Sequence, residues 1–349
     1  MSPESPGRLR LHFNENTAGC SPAVLDALRT LTAHDIATYP DYAALTGRVA
    51  AWFRVAPEQV LLTNGLDEGL YAVAQLGVLS EPAPDAAPAR RRARFIQTDP
   101  AFEMFEEFTR IVGAELLRME PDDDFAFPLQ GVLDTIDAAT RVIYLVDPNN
   151  PTGLPLPRGA AETIAGAAPD AMVLVDEAYA DFSGHTLIGP ALERFPNLVV
   201  GRTFAKGHGL AGLRIGALVA SPSTISRLRR VMPPFNVNVA AIRALEAALD
   251  DDGYLRWYVD QAAQSRRLIA AFATRHNLTC WPSVGNFVLV RIGPDAARTT
   301  QDLAARGIDV RDKSAAPGCT GCVRLTAGVV AHTNQLLTAL EDTLASRTN

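Results

Sequence analysis

The sequence predicts an α/β protein with a large part, built on a mostly parallel sheet flanked by helices, and a smaller α+β part. Three observations predict it. The chain has 349 residues, enough for two units of ordinary domain size. Its middle alternates short, continuously apolar runs with helical stretches, which is typical of parallel strands buried on both faces. Its last third changes to long helices followed by separate short strands.

The large part contains six predicted strands. They lie at residues 60–62, 94–97, 141–146, 171–175, 197–200 and 215–220, and the first three lead into helices near 66, at 102–112 and at 157–167. Parallel strands separated by helices end at the same edge of the sheet, where α/β proteins bind their ligands. We therefore expect the active site at the carboxyl ends of these strands.

The smaller part begins with a long helical region at 237–275. Helices are predicted at 240–249 and 257–274, and strands at 287–291, 308–311 and 323–326. The predicted division is a large domain at 36–240 and a small domain at 241–349, with segment 1–35 packed on the small domain. A stretch rich in Pro, Ala and Arg at 81–92 is expected to be an exposed connection without a function.

Composition limits the partners and the location. A formal net charge of −7 disfavours non-specific binding to nucleic acid or to an anionic membrane. The first ten residues contain no apolar run, and four cysteines suit a reducing compartment, so the expected location is the cytoplasm. Cys319 and Cys322 form a C-x-x-C, but no second pair or suitably spaced histidines accompany them. No metal site is therefore predicted.

Lys206 is the most informative residue. Only two of the 32 basic residues are lysines, Lys206 and Lys313. An arginine cannot provide a neutral amine, whereas a lysine can lose its proton and form a Schiff base. Lys206 follows the apolar run 198–201 and precedes a glycine-rich turn that ends at Arg214. This placement favours a covalent role over a chance surface lysine.

Polar residues at neighbouring strand ends fit pyridoxal 5′-phosphate as the partner of Lys206. Asp176 ends a buried strand, where its carboxylate can pair with the pyridine nitrogen, although it could instead cap a helix. Asn150 follows the preceding strand, and Tyr179 lies three residues after Asp176. Both can donate a hydrogen bond to the phenolate oxygen of the cofactor.

The loop between the strand at 60–62 and the next helix can bind the cofactor's phosphate. Backbone N–H groups at the start of a helix bind anions well, although any strand-to-helix turn offers them. Phe102 is positioned to stack on the pyridine ring. The predicted phosphate contacts are Gly65, Leu66, Asp67, Thr203 and Arg214.

The motifs together resemble those of fold-type I pyridoxal-phosphate enzymes, and among these the histidinol-phosphate aminotransferase-like branch of the class I/II aminotransferases. The resemblance extends in family order over most of the chain, which makes it highly specific. The segments that carry it are residues 11–15, 38–41, 65–68, 148–153, 175–179, 203–206, 209–216, 285–287 and 323–326.

The resemblance implies specific roles and a homodimer. Lys206 would carry the cofactor as a Schiff base and transfer a proton. Tyr39 would reach the cofactor phosphate of the neighbouring subunit. Arg324 would bind the substrate's carboxylate, or the phosphate that replaces it in histidinol phosphate, and Arg311 would be a second anion contact. Each arginine can bind an oxyanion with two hydrogen bonds, although a structural ion pair would also account for an arginine at these positions.

Three departures from the family pattern leave the substrate open. Ala205 replaces a phosphate-binding serine, Gly207-His208 replaces Ala-Phe, and Asn16 replaces a tyrosine that contacts substrate. His208 could influence substrate binding or could simply be packed. The candidate substrate-binding residues are therefore His208 and Asn16, together with Arg324, Arg311 and Asn150.

The predicted function is transfer of an amino group between an amino acid or amino-alcohol phosphate and a 2-oxo acid. The same fold and lysine also serve decarboxylases, lyases and oxidases of amino acids, so these alternatives stay open. A cofactor-sensing regulator is disfavoured, because the aminotransferase-like pattern begins by residue 11 and leaves no room for a DNA-binding module. A dinucleotide-dependent dehydrogenase is disfavoured because no G-x-G-x-x-G opens a strand–helix unit.

Overall fold

The computed structural model describes residues 7–79, 92–121 and 123–346, so all but the last residue of the predicted connection at 81–92 lies outside the described residues. Thirteen strands lie within these ranges: β1 (Leu9–Arg10), β2 (Val60–Thr63), β3 (Arg94–Thr98), β4 (Glu115–Met119), β5 (Thr140–Val146), β6 (Met172–Asp176), β7 (Leu198–Thr203), β8 (Gly216–Ala220), β9 (Thr279–Cys280), β10 (Phe287–Arg291), β11 (Ile308–Asp309), β12 (Arg311–Asp312) and β13 (Cys322–Thr326).

The described ranges also contain fourteen α-helices, and none of them is long and apolar enough to cross a membrane. They are α1 (Pro22–Arg29), α2 (Ala33–Ala37), α3 (Ala43–Phe53), α4 (Leu66–Leu79), α5 (Met104–Ile111), α6 (Leu129–Thr135), α7 (Ala160–Ala167), α8 (Ala180–Ser183), α9 (Pro190–Arg194), α10 (Pro222–Arg229), α11 (Val239–Asp250), α12 (Asp252–Arg275), α13 (Ala296–Ala305) and α14 (Val330–Ala345).

The large sheet has seven strands in the order β2-β8-β7-β6-β5-β3-β4. Strand β8 is antiparallel to both of its neighbours, and the other pairs are parallel. The predicted mostly parallel sheet flanked by helices is therefore confirmed. It places the carboxyl ends of β2, β3, β5, β6 and β7 at one edge.

Both faces of this sheet are buried, and β5 shows how the sequence achieves it. Val142, Tyr144 and Val146 pack into one apolar cluster, while Ile143 and Leu145 pack into another on the opposite face. Successive side chains of a strand point to opposite faces, so a run of apolar residues fills both layers. Each such side chain contributes roughly 1.5–3 kcal/mol when fully buried.

A four-stranded antiparallel sheet in the order β12-β13-β10-β9 forms the smaller part, and α12, α13 and α14 pack against it. The predicted strand at 308–311 is wrong as a single strand. Its first half, β11, pairs in parallel with β1, whereas β12 pairs with β13. The chain divides at Val310 because the two halves have different partners.

The N-terminal segment contacts both parts. Strand β1 pairs with β11 of the smaller part, whereas α1 packs on α11. Helix α11 in turn lies in one apolar cluster with Val60 and Ala217 of the large sheet. The predicted division at residue 240 stays a prediction, and this packing favours a boundary after α11.

Candidate active site

A cavity of about 510 Å³ lies beside the carboxyl ends of the parallel strands. Pockets of this size suit a small cofactor with its substrate. The large sheet's loops supply one wall, and the N-terminal segment and the four-stranded sheet supply the other. Seven predicted site residues line it, namely Phe102, Asn150, Tyr179, Lys206, Arg214, Arg311 and Arg324.

Lys206 follows the end of β7 and points its amine at the N-terminal segment. Its Nζ donates to the carbonyl oxygen of Phe13 at 2.9 Å and lies 6.0 Å from the centroid of the Tyr179 ring. Burial, with the charge of Arg324 adding to it, lowers the pKa of the Lys206 amine to about 8. The neutral, nucleophilic form is therefore accessible near physiological pH.

Asp176 is the last residue of β6 and is 5% exposed. The backbone N–H of Ala178 donates to its carboxylate at 2.9 Å. Burial raises the pKa of the Asp176 carboxyl to about 7, because a buried carboxylate without a cationic partner is disfavoured. A protonated ring nitrogen would supply that partner.

The hydroxyl of Tyr179 is oriented by two amides. Asn14 Nδ2 donates to it at 3.0 Å, and Asn150 Nδ2 donates at 3.4 Å. With its oxygen accepting these bonds, Tyr179 can direct its own proton into the cavity. The sequence analysis gave Asn14 no role. It has a φ of 55°, a conformation that asparagine tolerates better than most residues.

Arg324 on β13 is held from two directions. It donates to Asn150 Oδ1 at 2.5 Å and to the carbonyl oxygen of His12 at 2.7 Å. Its buried Nε has no hydrogen-bond partner among the described residues. Burial lowers the pKa of Arg324. A buried guanidinium with an unused donor at a cavity wall is suited to binding a substrate anion.

The predicted phosphate loop has the shape of an anion cradle. Gly65 has a φ of 74°, and a Cβ there would stand 2.5 Å from the Arg214 guanidinium. Arg214 pairs with Asp67 at 2.7 Å, and Leu66 begins helix α4. A guanidinium and the N-terminus of a helix thus meet at one glycine, an arrangement that fits a phosphate group.

Two predicted substrate contacts do not line the cavity. The side-chain amide of Asn16 donates to the carbonyl oxygen of Gly207 at 3.0 Å, and its oxygen accepts from Ala18 N at 3.0 Å. His208 is 3% exposed and packs edge-on against Trp52. Their substrate roles stay predictions that the cavity lining does not support.

Six predicted cofactor contacts also lie outside the cavity lining, namely Gly65, Leu66, Asp67, Asp176, Thr203 and Tyr39. The Thr203 hydroxyl accepts from Ala205 N at 3.2 Å, so it stabilises the turn before Lys206. Tyr39 is 79% exposed and stacks on Phe235, with ring centroids 4.3 Å apart. Tyr39 does not line the cavity, and its role in a neighbouring subunit stays a prediction.

Sequence reasoning missed four charged residues of the lining: Arg10, Glu15, Glu103 and Lys313. Arg10 and Glu15 pair at 2.9 Å, and Lys313 pairs with Glu103 at 2.8 Å. Lys313 could have been predicted from the sequence, because it is the second of only two lysines in an arginine-rich chain.

A half-buried lysine, a buried carboxylate at a neighbouring strand end, a phosphate cradle, and Arg311 and Arg324 on one cavity wall fit a pyridoxal-phosphate enzyme of fold type I. Comparison with known proteins agrees. The family model for aminotransferase class I and II matches residues 7–342. The chain belongs to this family.

Individual relatives have similar lengths. The chain is 36% identical to histidinol-phosphate aminotransferase 1 of Thiobacillus denitrificans, with 97% of the chain and 86% of the relative covered. It is 32% identical to histidinol-phosphate aminotransferase of Halalkalibacterium halodurans, covering 97% and 89%. The crystal structure of histidinol-phosphate aminotransferase from Sinorhizobium meliloti with pyridoxal-5′-phosphate superposes with a TM-score of 0.83, at 27% identity and coverage of 97% and 91%.

Proposed function

We propose that the amino donor is histidinol phosphate or a closely related amino-alcohol phosphate, and that a 2-oxo acid accepts the amino group. The observation that carries this proposal is the arginine clamp, in which the buried Arg324 and the nearby Arg311 line one wall of the cavity. The names of the relatives at 36% and 32% identity support the same donor.

Each side chain has a distinct task in this proposal. Bound pyridoxal phosphate supplies an electron sink for the bond broken at the substrate's Cα. Asp176 would hold the proton on the ring nitrogen, and Asn150 and Tyr179 would donate to the phenolate oxygen. Phe102 would stack on the ring.

Proton transfer belongs to Lys206. Its amine would remove the proton from the substrate's Cα and later deliver a proton to C4′ of the cofactor. The same group must act as a base and then as an acid, which is most efficient when its pKa lies close to the working pH. The lowered pKa of the Lys206 amine, about 8 in the cofactor-free protein, supports this role.

The proposal includes a homodimer in the cytoplasm with Tyr39 bound to the partner's cofactor phosphate. Its support is the exposed pair of Tyr39 and Phe235, which are 79% and 53% exposed. Large aromatic side chains exposed side by side are typical of interaction surfaces. The four free cysteines are consistent with a reducing compartment.

A single-turnover assay of the purified holoenzyme tests this function. We expect histidinol phosphate to convert the cofactor to pyridoxamine phosphate with release of the keto product, and 2-oxoglutarate to reverse the conversion. A Lys206→Ala variant should do neither. Carbon dioxide or peroxide release from the donors of a wider amino-acid screen, without pyridoxamine phosphate, would refute aminotransfer.

A further inference from the structure

The ion pair between Glu103 and Lys313 crosses the cavity. Glu103 precedes α5 on the side of the large sheet, whereas Lys313 follows β12 of the four-stranded sheet. Lys313 Nζ donates to Glu103 Oε1 at 2.8 Å, and Arg311 lies 3.6 Å from Glu103 Oε2. One carboxylate from the first wall thus contacts two cations on the second.

The two partners differ in how free they are to move. The side chain of Lys313 is 7% exposed, whereas that of Glu103 is 65% exposed. A buried ammonium needs a counter-ion or another hydrogen-bond acceptor nearby, because its hydration has been lost. A mostly exposed carboxylate can turn into water at little cost. Glu103 is therefore the partner that an incoming anion can replace.

The charge at this end of the cavity exceeds what a carboxylate substrate requires. Arg311 and Lys313 pair with the one carboxylate of Glu103, and the buried Arg324 lines the same cavity. A phosphomonoester carries between −1.5 and −2 at neutral pH, whereas a carboxylate carries about −1. An ammonium binds phosphate as a compact point charge with three donors, alongside the flat guanidinium groups.

We propose that Lys313 is a third anion-binding residue of the amino-donor site, and that Glu103 is its counter-ion until the donor's dianionic phosphate replaces it. This rests on the proposed function, since it concerns the same donor. Lys313 then increases the preference for a phosphomonoester over a carboxylate. In the enzyme without donor, Glu103 keeps the ammonium of Lys313 in position. Its negative charge also lowers the affinity of the site for every anion, most of all for dianions.

Two small probes of the holoenzyme separate this role from a structural one. Ethyl phosphate is a dianion, and propionate is a monoanion of similar size. Calorimetry measures the Kd of each without requiring any donor to react. The cofactor fills the phosphate cradle at Gly65, which leaves the donor site as the binding site. A failure of histidinol phosphate to react would refute the proposed function and leave this measurement interpretable.

The two variants should have opposite effects. Lys313→Met should weaken ethyl phosphate binding about tenfold and propionate binding less than about threefold, because only the dianion needs the third cation. Glu103→Gln should tighten ethyl phosphate binding, and tighten it more than propionate binding, because a nearby negative charge is removed. Glu103 is mostly exposed, so its variant should fold normally.

Arg306→Met is the matched control. Arg306 pairs with Asp342 at 3.2 Å on the surface of the same part of the protein and does not line the cavity. Its loss removes one cation and should leave both Kd values unchanged. If the Glu103–Lys313 pair only linked the two cavity walls structurally, Glu103→Gln would weaken the binding of both probes. That result, or an equal change of both probes in Lys313→Met, would overturn the proposal.

Discussion

Lys206 owes its reactivity to two features of its surroundings. Its side chain is enclosed between the end of β7 and the N-terminal segment, and the guanidinium of Arg324 lies close enough to disfavour a second positive charge. Burial, the larger effect, and the Arg324 charge both lower the pKa of the Lys206 amine. The residue proposed to bind the substrate anion therefore also lowers the pKa of the lysine.

The pH dependence of cofactor binding should report this pKa. In the cofactor-free protein the neutral fraction of Lys206 increases as the pH rises through about 8. The rate of incorporation of added pyridoxal phosphate, followed by its visible absorption, should rise from pH 7 and level off above pH 9. An ordinary lysine has a pKa of about 10.4. A rate that keeps rising to pH 10 would contradict the assigned environment.

Side-chain chemistry made much of the site predictable. Asp176, Asn150 and Tyr179 are polar residues directly after apolar strands, and parallel strands bring such positions together. Asn14 and the carbonyl oxygens of His12 and Phe13 act from a segment more than 130 residues away in sequence. Residue type does not determine where a backbone carbonyl points, so the contacts of His12 and Phe13 could not be predicted.

At the scale of elements, the apolar runs predicted strands but not their directions. β8 is as continuously buried as β7, yet it runs antiparallel to it. Burial on both faces is the same for either direction, and here residues 204–215 return the chain beside β7 without a crossover α-helix. The glycine-rich turn between them carries Lys206 and Arg214, which places both beside the cavity.

Helix starts were predicted less accurately than helices themselves. The predicted helix at 102–112 begins at Met104. Phe102 and Glu103 thus precede the helix, and both line the cavity. An apolar period identifies the buried face of a helix, but the residues before its first turn follow the loop geometry. Here those residues face the proposed ligand site.

At the scale of the whole molecule, the proposed dimer makes each site depend on two chains. Sedimentation should give twice the 37.4 kDa mass of one chain. Tyr39→Phe removes a hydroxyl that is proposed to bind the partner's cofactor phosphate, and should weaken cofactor binding about tenfold.

Mixed dimers provide the control for this prediction. Pairing a Tyr39→Phe chain with a Lys206→Ala chain creates one site that has both native residues. Tight cofactor binding should therefore return in part when the two variants are unfolded and refolded together. A monomeric enzyme, or mixtures that bind no better than the separate variants, would contradict shared sites.

The central claim is that Lys206 carries the cofactor, and the scarcity of lysine allows a direct test. Reducing the holoenzyme with borohydride fixes pyridoxal phosphate to the lysine that holds it, and peptide mass mapping then locates the label. Lys206 and Lys313 are the two lysines of the chain, and both line the cavity. The account predicts one label per chain, on Lys206. A label on Lys313, or none on either lysine, would contradict it.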